Sequence, residues 1–389
     1  MQEPSSGQSE TGQRCVLFAG GGSGGHLYPG LAVATAMREL DASVKPLFLC
    51  TEREIDRVIL EPTGEAFVQQ PIVPPTRSVG GLLRFWQAWR ATNDLVKKLI
   101  DEHQPVAVLG LGGYAAGVAV KLAGRRKLPT GILNPDVVPG KANVYLMPYC
   151  RRIYLGHDAA SEHVPQEHRD KCLTTGVPLR PGMEQRGDRD AACRRFDLDP
   201  RLNTLLVTGA SQGAKTINEA IVETARRSTN GGGPFQGWQV LHLAGRDHAE
   251  TVREAWRTTT MNGRAKVLDF TPDMHDVWSA ADLAVSRSGA GTCAEVAAMA
   301  VPTVFMPYPF HKDMHQAANA KVLADAGAAV IVDDRKDAAA NADALQPVLK
   351  GLLYQSERRA SMRDAAEKVA RRDAAMRVAK DLLDLAGVA

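Results

Sequence analysis

Three times in this chain an apolar, strand-like run ends in a cluster of glycine and other small residues, and a helix-like run follows at once. The first instance is the clearest: Cys15-Val-Leu-Phe-Ala19, then Gly20-Gly-Gly-Ser-Gly-Gly-His26, then Leu31-Ala-Val-Ala-Thr-Ala-Met37. Glycine lets the backbone bend this tightly and lets a ligand come close to it. The N–H groups at the start of the helix favour an anion. His26, directly after the turn, exchanges a proton near neutral pH. The second instance is Thr208-Gly-Ala-Ser-Gln-Gly-Ala-Lys215 and the third Arg287-Ser-Gly-Ala-Gly-Thr-Cys-Ala-Glu295. Such a chain folds as parallel strands connected by helices, with polar ligands held at the turns.

The rest of the sequence agrees. Strand patterns fall near residues 14–19, 44–50, 66–70, 106–110, 130–133 and 152–155, and again near 204–208, 238–243, 265–269, 282–286, 302–306 and 328–332. Helical patterns separate them, starting near residue 29 in the first half, which predicts an α/β chain with parallel sheets covered on both faces. At 389 residues there is room for about two domains. We expect a disordered tail over 1–13, a domain over 14–180, a polar hinge over 181–203, a second domain over 204–370, and a terminal helix over 371–389. A net charge of +3 gives no argument for nucleic acid. The six cysteines form no Cys-x-x-Cys pair, so neither a zinc site nor a disulfide framework is indicated; Cys15 and Cys50 read as buried filler. The longest apolar stretch, 106–120, is too short and too glycine-rich to span a bilayer.

Each motif also has a plainer reading. Gly20-x-Gly22-x-x-Gly25, with Glu52 after the second strand, matches the dinucleotide fingerprint. Ser211 donates to a phosphate or caps its helix. Thr292 and Glu295 have capping-box spacing, while the functional alternative gives Glu295 a ribose diol. His311 to Gln316 offer polar wall residues, and the single carboxylate there, Asp313, argues against a metal. Leu82, Phe85, Trp86 and Trp89 share one helical face beside arginines. That face is either core or an interfacial surface meeting anionic headgroups.

Taken together these segments resemble the MurG family, peripheral membrane glycosyltransferases that add N-acetylglucosamine to lipid I to make lipid II in peptidoglycan synthesis. The resemblance covers nearly the whole chain after the tail. It is carried by residues 20–34, 175–180, 209–214, 273–274, 286–295 and 311–320. It implies a GT-B fold, in which two Rossmann-like domains face an interdomain cleft and the last helix packs back on the first domain. It implies an inverting transfer from UDP-N-acetylglucosamine to the 4-hydroxyl of the muramyl-pentapeptide unit of undecaprenyl-linked lipid I. The place implied is the cytoplasmic face of the inner membrane, on an anionic membrane surface, with no cofactor and no metal. By position, Ser23, Gly24 and Gly25 meet the donor sugar and the acceptor phosphates. Arg180, Ser211, Thr271, Gly289, Ala290, Gly291, Thr292, Glu295, His315 and Gln316 hold the UDP-sugar. His26 is the candidate catalytic base.

One segment departs from the family. Leu133-Asn134-Pro135-Asp136 stands where His-Glu-Gln-Asn is usual, so Asp136 replaces a sugar-binding asparagine, and an ionised carboxylate only accepts hydrogen bonds. This keeps open a transferase using another UDP-sugar or lipid acceptor, an epimerase acting on UDP-N-acetylglucosamine, and a catalytically dead scaffold. The fingerprint keeps open a dinucleotide-dependent oxidoreductase.

Overall fold

The computed structural model describes residues 13–76, 78–209, 213–228, 235–310 and 314–388. They fall into two compact units. The first comprises the chain up to Pro135, Pro139–Arg180 and the segment from Asp373 onward; the second comprises Asp136–Val138 and Pro181–Arg372.

The first unit runs β1 (Arg14–Ala19), α1 (Gly24–Leu40), β2 (Val44–Thr51), α2 (Glu54–Leu60), β3 (Ala66–Gln70), α3 (Val79–His103), β4 (Ala107–Gly110), α4 (Gly117–Arg125), β5 (Thr130–Asn134), α5 (Lys141–Leu146), β6 (Arg152–Leu155) and β7 (Cys172–Thr174). Its sheet has the order β3-β2-β1-β4-β5-β6-β7, with every neighbour parallel. The short β7 is not among the strands expected from sequence. Alternation along β1 explains the layering. Val16 and Phe18 enter one core with Leu27, Leu31 and Met37 of α1. Leu17 and Ala19 enter another with Val96 and Leu99 of α3 and Val118 of α4. A strand buried on both faces reads as a continuous apolar run.

The second unit runs α6 (Arg189–Arg195), β8 (Asn203–Thr208), α7 (Lys215–Arg226), β9 (Trp238–Leu243), α8 (Ala249–Arg257), β10 (Ala265–Leu268), α9 (Met274–Ala280), β11 (Leu283–Ser286), α10 (Ala290–Ala298), β12 (Thr303–Phe305), α11 (His315–Asp325), β13 (Ala329–Ile331), α12 (Ala338–Tyr354) and α13 (Ser356–Val369). Its parallel sheet has the order β10-β9-β8-β11-β12-β13. Both sheets therefore start in the middle and wind outward in the same way, the doubly wound arrangement in which ligands bind beyond the carboxyl ends of the strands. Residues 181–203 fold into this unit, where Arg189 of α6 reaches Asp282 at 2.7 Å.

Helix α14 (Ala374–Leu385) belongs to the first unit. Val378, Ala379, Leu382 and Leu383 are buried in the same core as α1, and each larger aliphatic side chain contributes about 1.5–3 kcal/mol. Asp381 fixes its register by accepting from Arg152 Nε at 3.0 Å and from the Tyr154 hydroxyl at 2.9 Å.

Two expectations need correction. Helix α1 begins at Gly24 rather than near Pro29. Proline is favoured at helix starts, yet here it sits inside, and the glycine turn itself forms the first turn. Cys15 is half-buried, not buried as expected; all six thiols are free. Burial pushes the Cys15 thiol up to about 11 and the Cys50 thiol up to about 12.

A buried polar group in the second unit generates a pH prediction. His242 on β9 has no solvent exposure. Trp256 Nε1 donates to its Nδ1 at 3.0 Å, and its Nε2 meets Asn218 Oδ1 at 2.9 Å. This network suits the neutral ring, and burial lowers the pKa from 6.5 to about 3. The unfolded chain therefore binds the proton first as pH falls. The stabilisation is complete above about pH 6.5 and is lost toward pH 3 at about 1.4 kcal/mol per unit. Against a His242→Gln variant, the wild-type advantage in melting temperature should shrink steadily from pH 7 to pH 4; a constant advantage would contradict the assignment.

Candidate active site

The first glycine turn is shaped from behind by a buried carboxylate. Asp56 of α2 has no solvent exposure. Its two oxygens accept from Gly22 N–H at 2.7 and 2.9 Å, and one also accepts from Thr51 N–H at 2.8 Å and the Thr51 hydroxyl at 2.7 Å. Arg53 donates to the Gly22 carbonyl at 2.7 Å. Gly22 is thus gripped by both its N–H and its C=O. Gly21 has to be glycine, because a Cβ there would sit 2.3 Å from the Asp56 carboxylate. Sequence reasoning missed both Asp56 and Arg53; the only available signal was a polar pair just after β2.

The turn delivers Ser23 as the N-cap of α1 and Gly24 and Gly25 as its first residues, with no side chain capping the helix. The first N–H groups of a helix have no partner within it, so these amides carry the positive end of the dipole. His26 is half-buried. Its Nδ1 lies 3.1 Å from the Gly21 carbonyl and 3.2 Å from Ser23 Oγ. A carbonyl only accepts, so Nδ1 carries the hydrogen, and the neutral ring keeps its lone pair on Nε2. The ring faces a second small-residue turn, Gly112–Gly113 after β4. A methyl on Gly112 would come 3.5 Å from His26 Nε2 and 3.7 Å from Asn143 Oδ1, and that Asn143 oxygen is buried without a hydrogen-bond partner. The sequence reading passed over this turn inside an apolar stretch. Arg180 stacks on Tyr28 of α1, 4.1 Å from the ring centroid. A small pocket in this unit is lined by Gly25, Pro29, Leu111, Asn134, Tyr154 and Gly176.

In the second unit, Gly209 and Gly213 flank the second turn. Gly213 is pressed on the residue that follows β9, since a Cβ there would sit 2.0 Å from the Ala244 carbonyl. Ser211 lies outside the described residues. The third turn places Gly289 as N-cap of α10 and Ala290, Gly291 and Thr292 in its first turn, with no side-chain cap. Thr292 is therefore inside the helix, and the capping-box alternative does not form. Open space lies beyond the α-carbons of Gly289 and Gly291. Glu295, 6% exposed, accepts from Trp278 Nε1 at 3.0 Å. Thr271 Oγ1 accepts from the Asp273 N–H at 3.1 Å, shaping its own turn.

The start of α11 is stitched to the third turn. Gln316 Oε1 accepts from Tyr308 N–H at 2.9 Å, and Ser288 Oγ donates to the Gln316 carbonyl at 2.8 Å. His315 is the first residue of this helix. Asn319, fully buried, donates to Asp136 Oδ1 at 2.8 Å and to the Ser288 carbonyl at 3.3 Å, while its Oδ1 accepts from Val137 N–H at 2.9 Å. Asp136, Ser288 and Gln316 thus share one cluster, with Asn319 as the link that sequence reasoning missed. Arg287 holds the turn from below through Asp334 at 2.8 Å and the Met306 carbonyl at 2.7 Å.

The aromatic helix α3 divides. Phe85 and Trp89 pack against the first unit's core, whereas Leu82 and Trp86 are 45% and 64% exposed, joined by Val79 at 86% and Leu83 at 60%. No described helix is long and apolar enough to cross a membrane. Among the described residues, no group of three or more His, Cys, Asp or Glu is placed to hold a metal ion.

The shape of the first turn is open to test. Gly21→Ala should force the Asp56 carboxylate and the turn apart, at a cost of about 1–3 kcal/mol, measurable by denaturant unfolding; an unchanged midpoint would refute the packing.

Comparison with known proteins follows the same division. Residues 16–155 match the glycosyltransferase family 28 N-terminal domain and residues 204–378 its C-terminal domain. A Sorangium cellulosum protein is 34% identical, over 95% of this chain and 88% of its own length. One from Desulforamulus reducens is 30% identical, over 92% of this chain and 95% of its own. Both are named UDP-N-acetylglucosamine–N-acetylmuramyl-(pentapeptide) pyrophosphoryl-undecaprenol N-acetylglucosamine transferase. The crystal structure of Acinetobacter baumannii MurG is similar with a TM-score of 0.72 and 23% identity, over 95% of this chain and 99% of that one, a likeness of fold. With each half matched in order and relatives of this identity along almost the whole length, the chain belongs to glycosyltransferase family 28.

Proposed function

We propose that this protein transfers N-acetylglucosamine from UDP-N-acetylglucosamine to the 4-hydroxyl of the muramyl-pentapeptide unit of undecaprenyl-pyrophosphoryl lipid I, forming lipid II. The observation that carries this reading is near full-length similarity to transferases named for that reaction, at 30% and 34% identity. The glycine turns support it, since uncapped helix starts at Gly24 and Ala290 suit phosphate groups.

The second unit holds the donor. The N–H groups of Ala290, Gly291 and Thr292 meet the pyrophosphate, and Glu295, oriented by Trp278, accepts from the ribose diol. Ser211, Thr271, His315 and Gln316 complete the donor set, and Asp136, fixed by Asn319, accepts from a sugar hydroxyl. The first unit holds the acceptor, with Ser23, Gly24 and Gly25 meeting the donor sugar and the acceptor phosphates, while Arg180 holds UDP. His26 Nε2 takes the proton from the 4-hydroxyl as its oxygen attacks the anomeric carbon. The bond from that carbon to the phosphate oxygen breaks with inversion, and UDP leaves with the electron pair. Helix-start amides stabilise the charge that grows on UDP. Incubation with UDP-N-acetylglucosamine and a lipid I analogue should release UDP only when both are present; conversion of the donor alone would instead mark an epimerase. His26→Ala should retain UDP binding and lose turnover by about 10²–10⁴-fold; near-normal turnover would reject the base.

The exposed apolar side of α3 is the membrane contact, and the protein is a peripheral one on an anionic surface at the cytoplasmic face of the inner membrane. Val79, Leu82, Leu83 and Trp86 dip into the interface, and Arg84 and Arg90, both exposed on the same helix, meet headgroups. Phe85 and Trp89 back this surface from the core side. Leu83→Ser combined with Trp86→Ser should lower sedimentation with anionic vesicles several-fold at an unchanged melting temperature; full retention would move the contact elsewhere.

A further inference from the structure

We infer that Asp56 is a positioning residue that acts on His26 through the Gly21–Gly22 peptide bond. The inference rests on the base role given to His26 above. Among the described residues no peptide bond is cis, so in the Gly21–Gly22 unit the N–H and the C=O point in opposite directions. The N–H of Gly22 is received by both oxygens of the Asp56 carboxylate, at 2.7 and 2.9 Å. The C=O of the same unit, on Gly21, receives His26 Nδ1–H at 3.1 Å. Carboxylate, amide and imidazole therefore form one line of donors and acceptors.

A buried carboxylate drawing on the N–H end of an amide increases the negative charge on its carbonyl oxygen, because hydrogen bonds in a chain polarise one another. That oxygen then holds Nδ1–H more firmly, which selects the tautomer with its lone pair on Nε2. It also stabilises the imidazolium formed when Nε2 accepts the acceptor's proton. A carboxylate bonded directly to a catalytic histidine does the same work, and here one peptide unit stands between them. The arrangement explains why Asp56 is fully buried and why glycine is required at position 21, where a Cβ would occupy the carboxylate's place. Thr51 fixes the carboxylate from its far side through its N–H and hydroxyl, so the line starts from a group that cannot turn away.

Asp56→Asn should lower kcat roughly ten- to hundredfold, the range seen when a group that orients a metal-ligating histidine is removed, with KM for UDP-N-acetylglucosamine unchanged. Adding Asp56→Asn to His26→Ala should cause no further loss, since the residue through which Asp56 acts is already gone. Asp56→Glu, which restores a carboxylate, should recover part of kcat. A purely structural role would instead raise KM as well and lower the residual rate of the His26→Ala enzyme by the same factor. Nitrogen-15 NMR of the unaltered enzyme, with the His26 signal identified by its loss in His26→Ala, provides a reading that does not depend on the variant folding. A neutral ring protonated at Nδ1 supports the inference, and one protonated at Nε2 overturns it. Wild-type turnover with an Asp56→Asn enzyme of normal kcat would sink this inference alone. A wild type that releases no UDP would sink the transferase reading and this inference with it.

Discussion

A glycine turn at the end of a strand cannot hold its own shape, and everything these sites do depends on buried polar side chains that hold it from behind. Glycine has the most conformational freedom to lose, and an amide turned toward a ligand is unavailable for internal bonding. At the first turn Asp56 and Arg53 grip Gly22 from both sides. Beside Gly213, Asn218 of α7 donates to the Ala244 carbonyl at 2.9 Å, and His242 and Trp256 stand behind Asn218. At the third, Arg287, Gln316 and Asn319 tie the turn to β12, β13 and α11. At the first and third turns the helix that follows starts with no side-chain cap, while the side chains behind these turns are held by hydrogen bonds.

This division has an energetic logic. A buried carboxylate or guanidinium is costly unless its hydrogen bonds are met. Asp56 meets its needs with N–H and O–H donors from the turn and β2. Asp334 is pushed up by burial, but bonds from Thr216, Asn341, Lys336 and Arg287 outweigh this and hold it below the usual carboxylate range. The same bonds that satisfy these groups remove the freedom of the turns. Rigid backbone amides need little rearrangement when charge arrives, which is the property electrostatic stabilisation requires.

Much of the fold was legible because its signals are local. Alternation of apolar strands with amphipathic helices is written residue by residue, and the runs expected at 14–19, 238–243 and 282–286 are the strands Arg14–Ala19, Trp238–Leu243 and Leu283–Ser286. Where local signals misled, a specific residue was responsible. Pro29 imitated a helix start that lies at Gly24. Thr292 and Glu295 imitated a cap that Gly289 occupies without a side chain. The four residues Leu82, Phe85, Trp86 and Trp89 follow helical spacing, yet only packing against the core distinguishes Phe85 and Trp89 from their exposed neighbours.

The sequence by itself determined the glycine turns, the histidine after the first of them and the doubly wound pattern, since each depends on neighbours a few residues apart. Only the tertiary structure decided what holds the turns. Asp56 lies 34 positions beyond Gly22, and Asn319 lies 183 beyond Asp136. A hydrogen bond of this kind depends on two strands or helices meeting in space, and no local pattern of residue types encodes that meeting.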